Sequence, residues 1–205
     1  VCLEKLIAQK GVDFEIIVVD EGSTDTTEEP VRKFSEVRYI KQKASHQAVA
    51  RNRGVKEADG DIVVFIGDDI FVEPNFLKEH HDRHIEYPDE NMVVLGYTTW
   101  DPDLKINSYM RFLEESGWQF GYKFLHPKFI GRVDSYKFFY TSNISLKKSF
   151  FEKECFDEDF TFYGWEDIEL GYRLWKHRDM EIYYEPQAIA YHHHHISPSG
   201  LVKKM

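Results

Sequence analysis

Ile62-Val63-Val64-Phe65-Ile66-Gly67-Asp68-Asp69 is the stretch that decides the fold class of this 205-residue chain. Five consecutive apolar residues predict a strand that is buried on both faces, as is typical of a parallel sheet. Two adjacent carboxylates follow the strand. Ligands of open α/β sheets bind beyond the carboxyl ends of the strands, so Asp68 and Asp69 lie where a ligand site is expected.

A similar unit precedes it. The apolar run 15–20 ends in Asp20, and turn and cap residues 21–25 lead into a helix that we expect to reach about Ser35. Further strands are predicted over 37–40 and 92–96, with helices over 46–58 and 74–87 between them. Strands that alternate with helices predict an α/β fold with a mostly parallel sheet flanked by helices.

The pattern changes after about Trp100. Helices are predicted over 106–116 and 165–176, strands over 138–146 and 182–192, and an irregular aromatic stretch over 118–129. We expect this second half to pack on the first.

Composition excludes some classes of function. The net charge of −10 argues against nucleic acid as the main partner, although a metal ion and a few basic residues suffice to hold a nucleotide. Cys2 and Cys155 lie far apart without metal-ligand spacing, which favours a reducing, cytoplasmic location. We find no signal peptide and no apolar run of about 18 residues. Both ends of the chain read as cut, so we expect a fragment of a longer protein.

The Asp68-Asp69 pair has two interpretations. Adjacent carboxylates repel each other, and a divalent cation such as Mg²⁺ or Mn²⁺, shared with substrate phosphates, offsets this repulsion. A solvated acidic turn before the next helix is the alternative.

Asp20, Glu21 and Arg51 form a second set of candidates. A carboxylate at a strand end can accept hydrogen bonds from a base or a ribose, but Ser23 or Asp25 can equally cap the following helix. Arg51, within the helical segment 50–54, can contact a diphosphate or pair with a surface acid.

Two further motifs lie in the second half. Glu166 and Asp167 open a helix, where one of them is a general base or both simply complement the helix dipole. His192 to His195 suggest metal ligation, with an expression tag as the alternative. We favour a natural origin because the run follows a strand-like segment and continues into 196–198.

Together these motifs resemble glycosyltransferase family 2, the inverting enzymes of GT-A fold. Residues 18–25 are similar to its Val-Val-Asp-Asp-Gly-Ser-Thr-Asp motif, and residues 50–54 to its Ala-Arg-Asn-x-Gly segment. Residues 67–69 occupy the position of its Asp-x-Asp motif. Residues 164–169 resemble the Trp-Gly-x-Glu-Asp-x-Glu motif of the galactosyltransferase-like and chondroitin-polymerase-like branches, in which a metal-binding His occupies the position of His192.

The resemblance implies roles for the first half, residues 1–100, as the part that binds the nucleotide sugar. Asp20 and Glu21 would bind the base and ribose, and Arg51 the diphosphate. Asp69 would hold Mn²⁺ or Mg²⁺, with Asp68 beside it at the nucleotide.

The second half, residues 101–205, would bind the acceptor and supply the catalytic base. Asp167 would be that base, Glu166 would orient the acceptor, and His192 would complete the metal site. The sequence departs from the family at Gly67 and Glu21, where Asp is usual. We also expect the first strand of the fold, with its Pro-Thr-Tyr-Asn-like end, to be missing.

The expected function is inverting transfer of a sugar from a nucleoside-diphosphate sugar, with UDP the nucleotide expected from the family, to a glycan or glycoconjugate hydroxyl. Such a reaction serves polysaccharide synthesis, and a lipid-linked acceptor would bring peripheral contact with the inner membrane face. The alternatives are a metal-dependent nucleotidyltransferase or phosphohydrolase, or a non-catalytic domain that binds sugar nucleotides. Six aromatic residues are candidates for either a sugar groove or the core: Trp100, Trp118, Phe120, Tyr122, Phe139 and Tyr140.

Overall fold

The computed structural model describes residues 1–125, 134–160 and 164–197. Its helices are α1 (Cys2–Ile7), α2 (Glu28–Val31), α3 (Gln47–Glu57), α4 (Phe76–Glu86), α5 (Ser108–Ser116) and α6 (Glu166–Arg178). Its strands are β1 (Ile16–Asp20), β2 (Val37–Lys41), β3 (Ile62–Ile66), β4 (Ile70–Val72), β5 (Met92–Trp100), β6 (Asn143–Lys147) and β7 (Glu181–His192). None of the helices in these ranges has the length and apolar character that crossing a bilayer requires.

The strands form a parallel pair, β1 with β2, and a five-stranded sheet in the order β3-β6-β5-β7-β4. Strands β3, β5 and β7 run in one direction, while β6 and β4 run antiparallel to their neighbours. The predicted α/β fold with helices on a largely co-directional sheet is confirmed. The two antiparallel strands come from segments whose pairing partners are distant in sequence, which periodicity does not reveal.

Strands β1 and β3 are each hydrogen-bonded on one side only within the described ranges. Their apolar side chains are mostly half-buried. The strands β1 and β3 therefore lie where the sequence predicts them, but the expectation that they are fully buried is wrong. Whether the family's first strand is absent stays a prediction.

Two element boundaries differ from expectation. Helix α2 ends at Val31, after which the N–H groups of Lys33 and Phe34 donate to carbonyl oxygens three residues earlier instead of four. The segment expected as a strand from 138 is a 3₁₀ turn up to Phe138, and pairing begins only at Asn143. The aromatic residue between them, Phe139, is fully buried and packs against Gly171 of α6. Part of the aromatic stretch over 118–129 lies outside the described residues.

The main core lies between the five-stranded sheet and α6. Leu95 and Ile144 from the sheet, and Leu170 and Leu174 from the helix, are fully buried in one cluster. Truncating one such side chain to alanine costs about 2–5 kcal/mol. This packing fixes the position of α6, which carries the predicted catalytic acids at its first turn.

A buried hydrogen-bonded chain ties α4 to the other face of the sheet. Ser145 Oγ lies 2.8 Å from His80 Nδ1 and 2.9 Å from His84 Nε2, while His80 Nε2 lies 2.9 Å from Asn143 Oδ1. The Asn143 carboxamide oxygen can only accept, so His80 carries its proton on Nε2 and accepts at Nδ1 from Ser145. Ser145 Oγ then accepts from His84 Nε2–H. One arrangement of protons thus satisfies the whole chain with both imidazoles neutral.

This series of hydrogen bonds ends at the irregularity in the pairing of β5 with β7. Asn143 Nδ2 donates to the carbonyl oxygens of Tyr97 (3.1 Å) and Ala188 (2.9 Å) at the register shift between Gly96 and Tyr97. Beyond this irregularity the two strands pair again, up to Trp100 opposite His192. The buried Asn143 therefore holds the segment from which the His192 side chain projects.

Candidate active site

The first part of the site joins the end of β3 to the end of β7. After the turn at 67–69 the chain enters the short strand β4, in which Ile70 is paired with His192. The backbone N–H of His193 donates to the Asp69 carbonyl at 2.8 Å. As a result, Asp69 Oδ2 and His192 Nε2 lie 3.0 Å apart, although 123 residues separate them. His192 belongs to a strand of the sheet, which agrees with a natural origin for it.

The surroundings of this pair keep both groups in place. The Trp100 ring stacks on His192, with centroids 5.6 Å apart, and the edge of Phe120 contacts the same imidazole at 5.8 Å. Burial raises the pKa of Asp69, but the facing His192 and His194 outweigh it and hold the pKa below its usual value. His194, a member of the histidine run for which the sequence suggested metal ligation, has its Nδ1 3.6 Å from Asp69 Oδ2.

Gly67 gives the Asp69 carboxylate room to fold back over the turn. A Cβ atom at position 67 would lie 2.8 Å from Asp69 Oδ1. With an aspartate at position 67, as the Asp-x-Asp pattern has, the Asp69 side chain would have to move. Asp68, between them, is exposed.

The Asp69–His192 pair suits a divalent ion only in part. A carboxylate oxygen and an imidazole nitrogen that face each other are ligands for Mn²⁺. Within the described residues, however, no group of three or more His, Cys, Asp or Glu side chains is arranged to hold a metal ion. Two protein ligands plus substrate phosphate oxygens is an arrangement that Mg²⁺ and Mn²⁺ sites often use. The residues present therefore fit an ion that arrives with a diphosphate.

The second part of the site is the N-terminus of α6. Gly164 (φ 87°) and Trp165 (φ 76°) both have left-handed backbone conformations, and together they turn the chain into the helix. This conformation is costly for tryptophan, and such strain is concentrated at functional sites. Trp165 is 74% exposed, while Glu166, one residue later, is 5% exposed.

Arg51 of α3 neutralises Glu166. Nη1 of Arg51 lies 2.5 Å from Glu166 Oε1, while its Nη2 donates to Gln47 and its guanidinium covers the Phe156 ring. The structure thus gives Arg51 a buried acid as its partner. The sequence analysis expected it at a diphosphate or on a surface acid, and did not pair it with Glu166.

Asp167 differs from the other acids of the site in the direction of its pKa shift. Burial and the neighbouring Glu166 carboxylate raise the pKa of Asp167 above its usual value, and Arg51 offsets this only partly. Its two oxygens accept from the backbone N–H groups of Ile168 (2.8 Å) and Thr141 (3.4 Å). Two backbone donors on different segments therefore fix the orientation of the carboxylate. The role of Thr141 carries no signal in the sequence.

Asp20 and Glu21 lie at the end of β1. Asp20 accepts from the Ser23 N–H at 2.7 Å and from the hydroxyl of Tyr39. Burial raises the pKa of Asp20, but these hydrogen bonds outweigh it and lower the pKa to about 2. Ser45 Oγ donates to Glu21 Oε1 at 3.1 Å. Asp20 thus organises the turn after the strand, and Tyr39 is a partner that the sequence does not indicate. Neither Ser23 nor Asp25 is the N-cap of α2, which is Thr27, although Asp25 accepts from the Thr27 N–H at 3.0 Å.

The structure therefore brings the predicted residues together in two pairs, Asp69 with His192 and Arg51 with Glu166. Asp20 and Glu21 contact neither pair. Of the aromatic candidates, Phe139 belongs to the core and Trp118 is 79% exposed, whereas Phe120 and Tyr122 line a pocket. The site thus consists of a buried acid at a helix start and an acid–histidine pair at strand ends, on an α/β sheet.

The profile of Glycosyl transferase family 2 matches residues 1–153, so the chain belongs to this family. Validoxylamine A glucosyltransferase of Streptomyces hygroscopicus subsp. jinggangensis (strain 5008) is 31% identical over 196 residues, which cover 80% of this chain and 44% of that protein. Chondroitin synthase of Escherichia coli is 28% identical over 208 residues, which cover 86% of this chain and 30% of that protein. The chain thus spans less than half the length of these curated relatives.

Solved structures of glycosyltransferases share the fold. S. aureus TarS 1–349 in complex with UDP superposes with a TM-score of 0.70 at 18% identity, covering 98% of this chain and 57% of that one. GalNAc-T7 with UDP, GalNAc and Mn²⁺ gives 0.66 at 13% identity, covering 95% of this chain and 41% of that one. These likenesses establish the GT-A-like α/β fold that the sequence predicted.

Proposed function

We propose that this chain carries out inverting, metal-dependent transfer of a sugar from a nucleoside-diphosphate sugar, with UDP as the nucleotide, to an acceptor hydroxyl of a glycan or glycoconjugate. The observation that carries the proposal is Asp167, a partly buried carboxylate with a raised pKa at the start of α6, held by two backbone N–H groups. Membership of Glycosyl transferase family 2 and the UDP complex of TarS support the reaction class and the donor. The two free cysteines suit a reducing compartment.

Asp167 acts as the general base. A base works best when its pKa approaches the operating pH, because it then accepts a proton readily while still ionised. Burial raises the pKa of Asp167 in this direction, and the N–H groups of Thr141 and Ile168 aim the carboxylate. In inverting transfer this group takes the proton of the acceptor hydroxyl as its oxygen attacks the anomeric carbon. No covalent intermediate with the protein is needed.

Glu166 and Arg51 support the base. Glu166 Oε2 is buried and has no hydrogen-bond partner within the described ranges, which leaves it free to orient an acceptor hydroxyl. Its other oxygen is paired with Arg51, which keeps one positive charge beside the two acids. That charge is also available to the diphosphate of the donor.

Asp69 and His192 would hold the divalent ion, Mn²⁺ or Mg²⁺, that arrives with the donor. Such an ion would neutralise the negative charge that develops on the leaving nucleoside diphosphate. The facing oxygen and nitrogen atoms of the pair, 3.0 Å apart, and the Mn²⁺ of the GalNAc-T7 structure support this assignment.

The nucleotide interacts with residues of the first half, 1–100. Asp20 and Glu21 receive hydrogen bonds from the base and ribose through the lone pairs that Ser23, Tyr39 and Ser45 leave open. Asp68, exposed beside Asp69, would bind the nucleotide. Residues 101–205 receive the acceptor.

The test is donor binding combined with transfer. Melting temperature is measured with UDP, GDP, dTDP and CDP, each with Mn²⁺ and with EDTA, since a ligand that binds the native state raises it by mass action. We expect a shift with UDP that requires the metal. Release of UDP from a panel of UDP-sugars is then followed with and without glycan acceptors. A shift that is equal in EDTA contradicts the metal dependence, and a metal-dependent shift without any turnover contradicts the catalytic role.

A further inference from the structure

A pocket of about 310 Å³ opens beside the site, between β5, β7 and the segment after α5. Tyr97, Tyr122 and Tyr184 contribute aromatic rings to its wall, and Glu114 and Lys123 contribute one charge of each sign. Its volume is at the lower end of ligand pockets, about 300 Å³, and suits one small ring rather than an extended chain.

We propose that this pocket is the subsite for one uncharged sugar ring of the acceptor. The proposal rests on the transferase function above, and it specifies which surface holds the acceptor and what chemistry the acceptor has. It assigns a binding role to Thr98, which the sequence did not indicate, and to Tyr122, for which the sequence left a sugar groove and the core as alternatives.

The wall of the pocket has the chemistry of a sugar site. A pyranose has apolar C–H faces, which pack on aromatic rings, and hydroxyl groups at its rim. The rings of Tyr122 and Tyr184 are stacked with centroids 5.6 Å apart, and Tyr97 meets Tyr122 edge-on at 5.3 Å. The side chains of Thr98 and Tyr122 are buried and their hydroxyls lie close to each other, yet within the described ranges neither hydroxyl makes a hydrogen bond of normal geometry. Buried hydroxyls normally find partners, and ligand hydroxyls would supply them.

The charge in the pocket argues for a neutral ligand. Glu114 already accepts from Thr99 Oγ1 at 2.8 Å, and Lys123 donates to the carbonyl oxygen of Glu115. A diphosphate needs several cationic or metal contacts, and the pocket wall provides a single lysine with an acid opposite. The nucleotide is therefore disfavoured here, whereas the hydroxyls of an uncharged sugar can bond to either group.

The position of the pocket suits the acceptor. On one side Phe120 lines the pocket and contacts His192, with ring centroids 5.8 Å apart. On the other side the Tyr122 ring meets Tyr140 at 6.1 Å, and burial together with the nearby Asp167 carboxylate raises the pKa of Tyr140 to about 12. One aromatic ring, Phe120, thus separates the pocket from the proposed metal ligand, and two rings, Tyr122 and Tyr140, separate it from the proposed base. An acceptor has to lie between these two groups.

Two substitutions test the hydroxyls without disturbing the packing. Tyr122→Phe and Thr98→Val keep the shape of each side chain and remove an oxygen that makes no hydrogen bond of normal geometry in the described residues, so we expect neither to lower the melting temperature by much. Tyr172→Phe, on the exposed side of α6 and outside the pocket, is the matched control. The probes are the methyl glycosides of glucose, galactose and N-acetylglucosamine. Their binding is followed by saturation-transfer NMR with UDP and Mn²⁺ present.

We expect at least one methyl glycoside to bind the wild-type chain, and to bind three- to tenfold more weakly to each pocket variant. Its binding to Tyr172→Phe should equal that of the wild type. The increase in melting temperature caused by UDP should be the same in all four proteins. Absence of binding by every glycoside, or equal binding by the pocket variants, overturns the proposal. Displacement of the glycoside by UDP-sugar but not by UDP assigns the pocket to the donor sugar and also overturns it. Loss of the UDP shift in the wild type would count against the transferase function, while the glycoside titrations still decide the pocket.

Discussion

Arg51 Nη1 and Glu166 Oε1 lie 2.5 Å apart and join α3 to the first turn of α6 across 115 residues of sequence. The Glu166 side chain is 6% exposed, so its charge depends on this partner. Removing one member of a buried ion pair leaves an uncompensated charge, which costs about 3–5 kcal/mol, whereas removing both charges is often neutral. The contact is thus a structural element of the site before any ligand binds.

Arg51→Met should therefore lower the free energy of unfolding by about 3 kcal/mol, and the double variant Arg51→Met/Glu166→Gln should recover most of this loss. Urea unfolding of wild type, both single variants and the double variant gives the coupling energy. Arg53→Met is the control, because Arg53 pairs with Glu57 on the surface of α3. A wild-type urea midpoint for Arg51→Met would mean that Arg51 serves only the ligand.

Asp167→Asn should abolish sugar transfer and leave the metal-dependent UDP shift unchanged. The amide keeps the shape of the side chain but cannot accept a proton. Asp159→Asn, an exposed acid that precedes the helix, is the control. Only the ionised form of Asp167 is active, so kcat/KM of the wild type should fall as the pH decreases. Because the pKa of Asp167 is raised, this fall should begin at a higher pH than for an ordinary aspartate, whose pKa is near 3.8. Transfer by Asp167→Asn at near the wild-type rate would remove Asp167 from the mechanism.

Asp69→Ala and His192→Ala should each reduce UDP affinity at least tenfold with Mn²⁺ and have little effect in EDTA. Both side chains are assigned to the ion, so their loss matters only when the ion is present. His81→Ala, on the exposed face of α4, controls for loss of an imidazole. Titrations of UDP by calorimetry, with and without Mn²⁺, measure the effect. Equal losses in both conditions would show that the Asp69–His192 contact is structural.

The buried histidines of α4 should make the fold sensitive to acid. Burial lowers the pKa of His80 and of His84 to about 4, from an unfolded value near 6.5. Between these values the unfolded chain binds more protons than the folded one, so stability falls as the pH drops from about 6.5 to about 4. Each histidine contributes up to about 1.4 kcal/mol per pH unit. Urea unfolding at pH 7.5, 6.5, 5.5 and 4.5 tests this. His81→Gln should leave the pH profile unchanged, and a flat wild-type profile would contradict the neutral assignment.

The strand ends and the helix starts were within reach of sequence reasoning. Apolar runs that end in Asp20 and Asp69 reveal their positions directly, because a buried strand and its carboxyl end are local features. The partners of the site residues could not be predicted in this way. The contacts of Tyr39 with Asp20, of Thr141 with Asp167 and of Arg51 with Glu166 depend on packing between segments that are distant in the chain. Strand β4 escaped prediction because three residues are too few to show a period. Family motifs compensated for part of this by indicating that Asp69 and His192 act together.

Gly96→Ala should destabilise the fold and weaken metal-dependent UDP binding together. A Cβ atom at position 96 would lie 2.6 Å from the Ala188 carbonyl oxygen and still closer to the Asn143 carboxamide. Asn143, which clamps β5 to β7 at the register shift, therefore has to move. Overpacking of this kind typically costs about 1–3 kcal/mol. Gly60→Ala is the matched control, since its Cβ would make only an ordinary contact of 3.6 Å. Because the same register shift precedes the Trp100–His192 pairing, the displaced strand should carry His192 away from Asp69. If Gly96→Ala lowers the urea midpoint but binds UDP and Mn²⁺ with wild-type affinity, the clamp supports the fold without positioning the metal ligand.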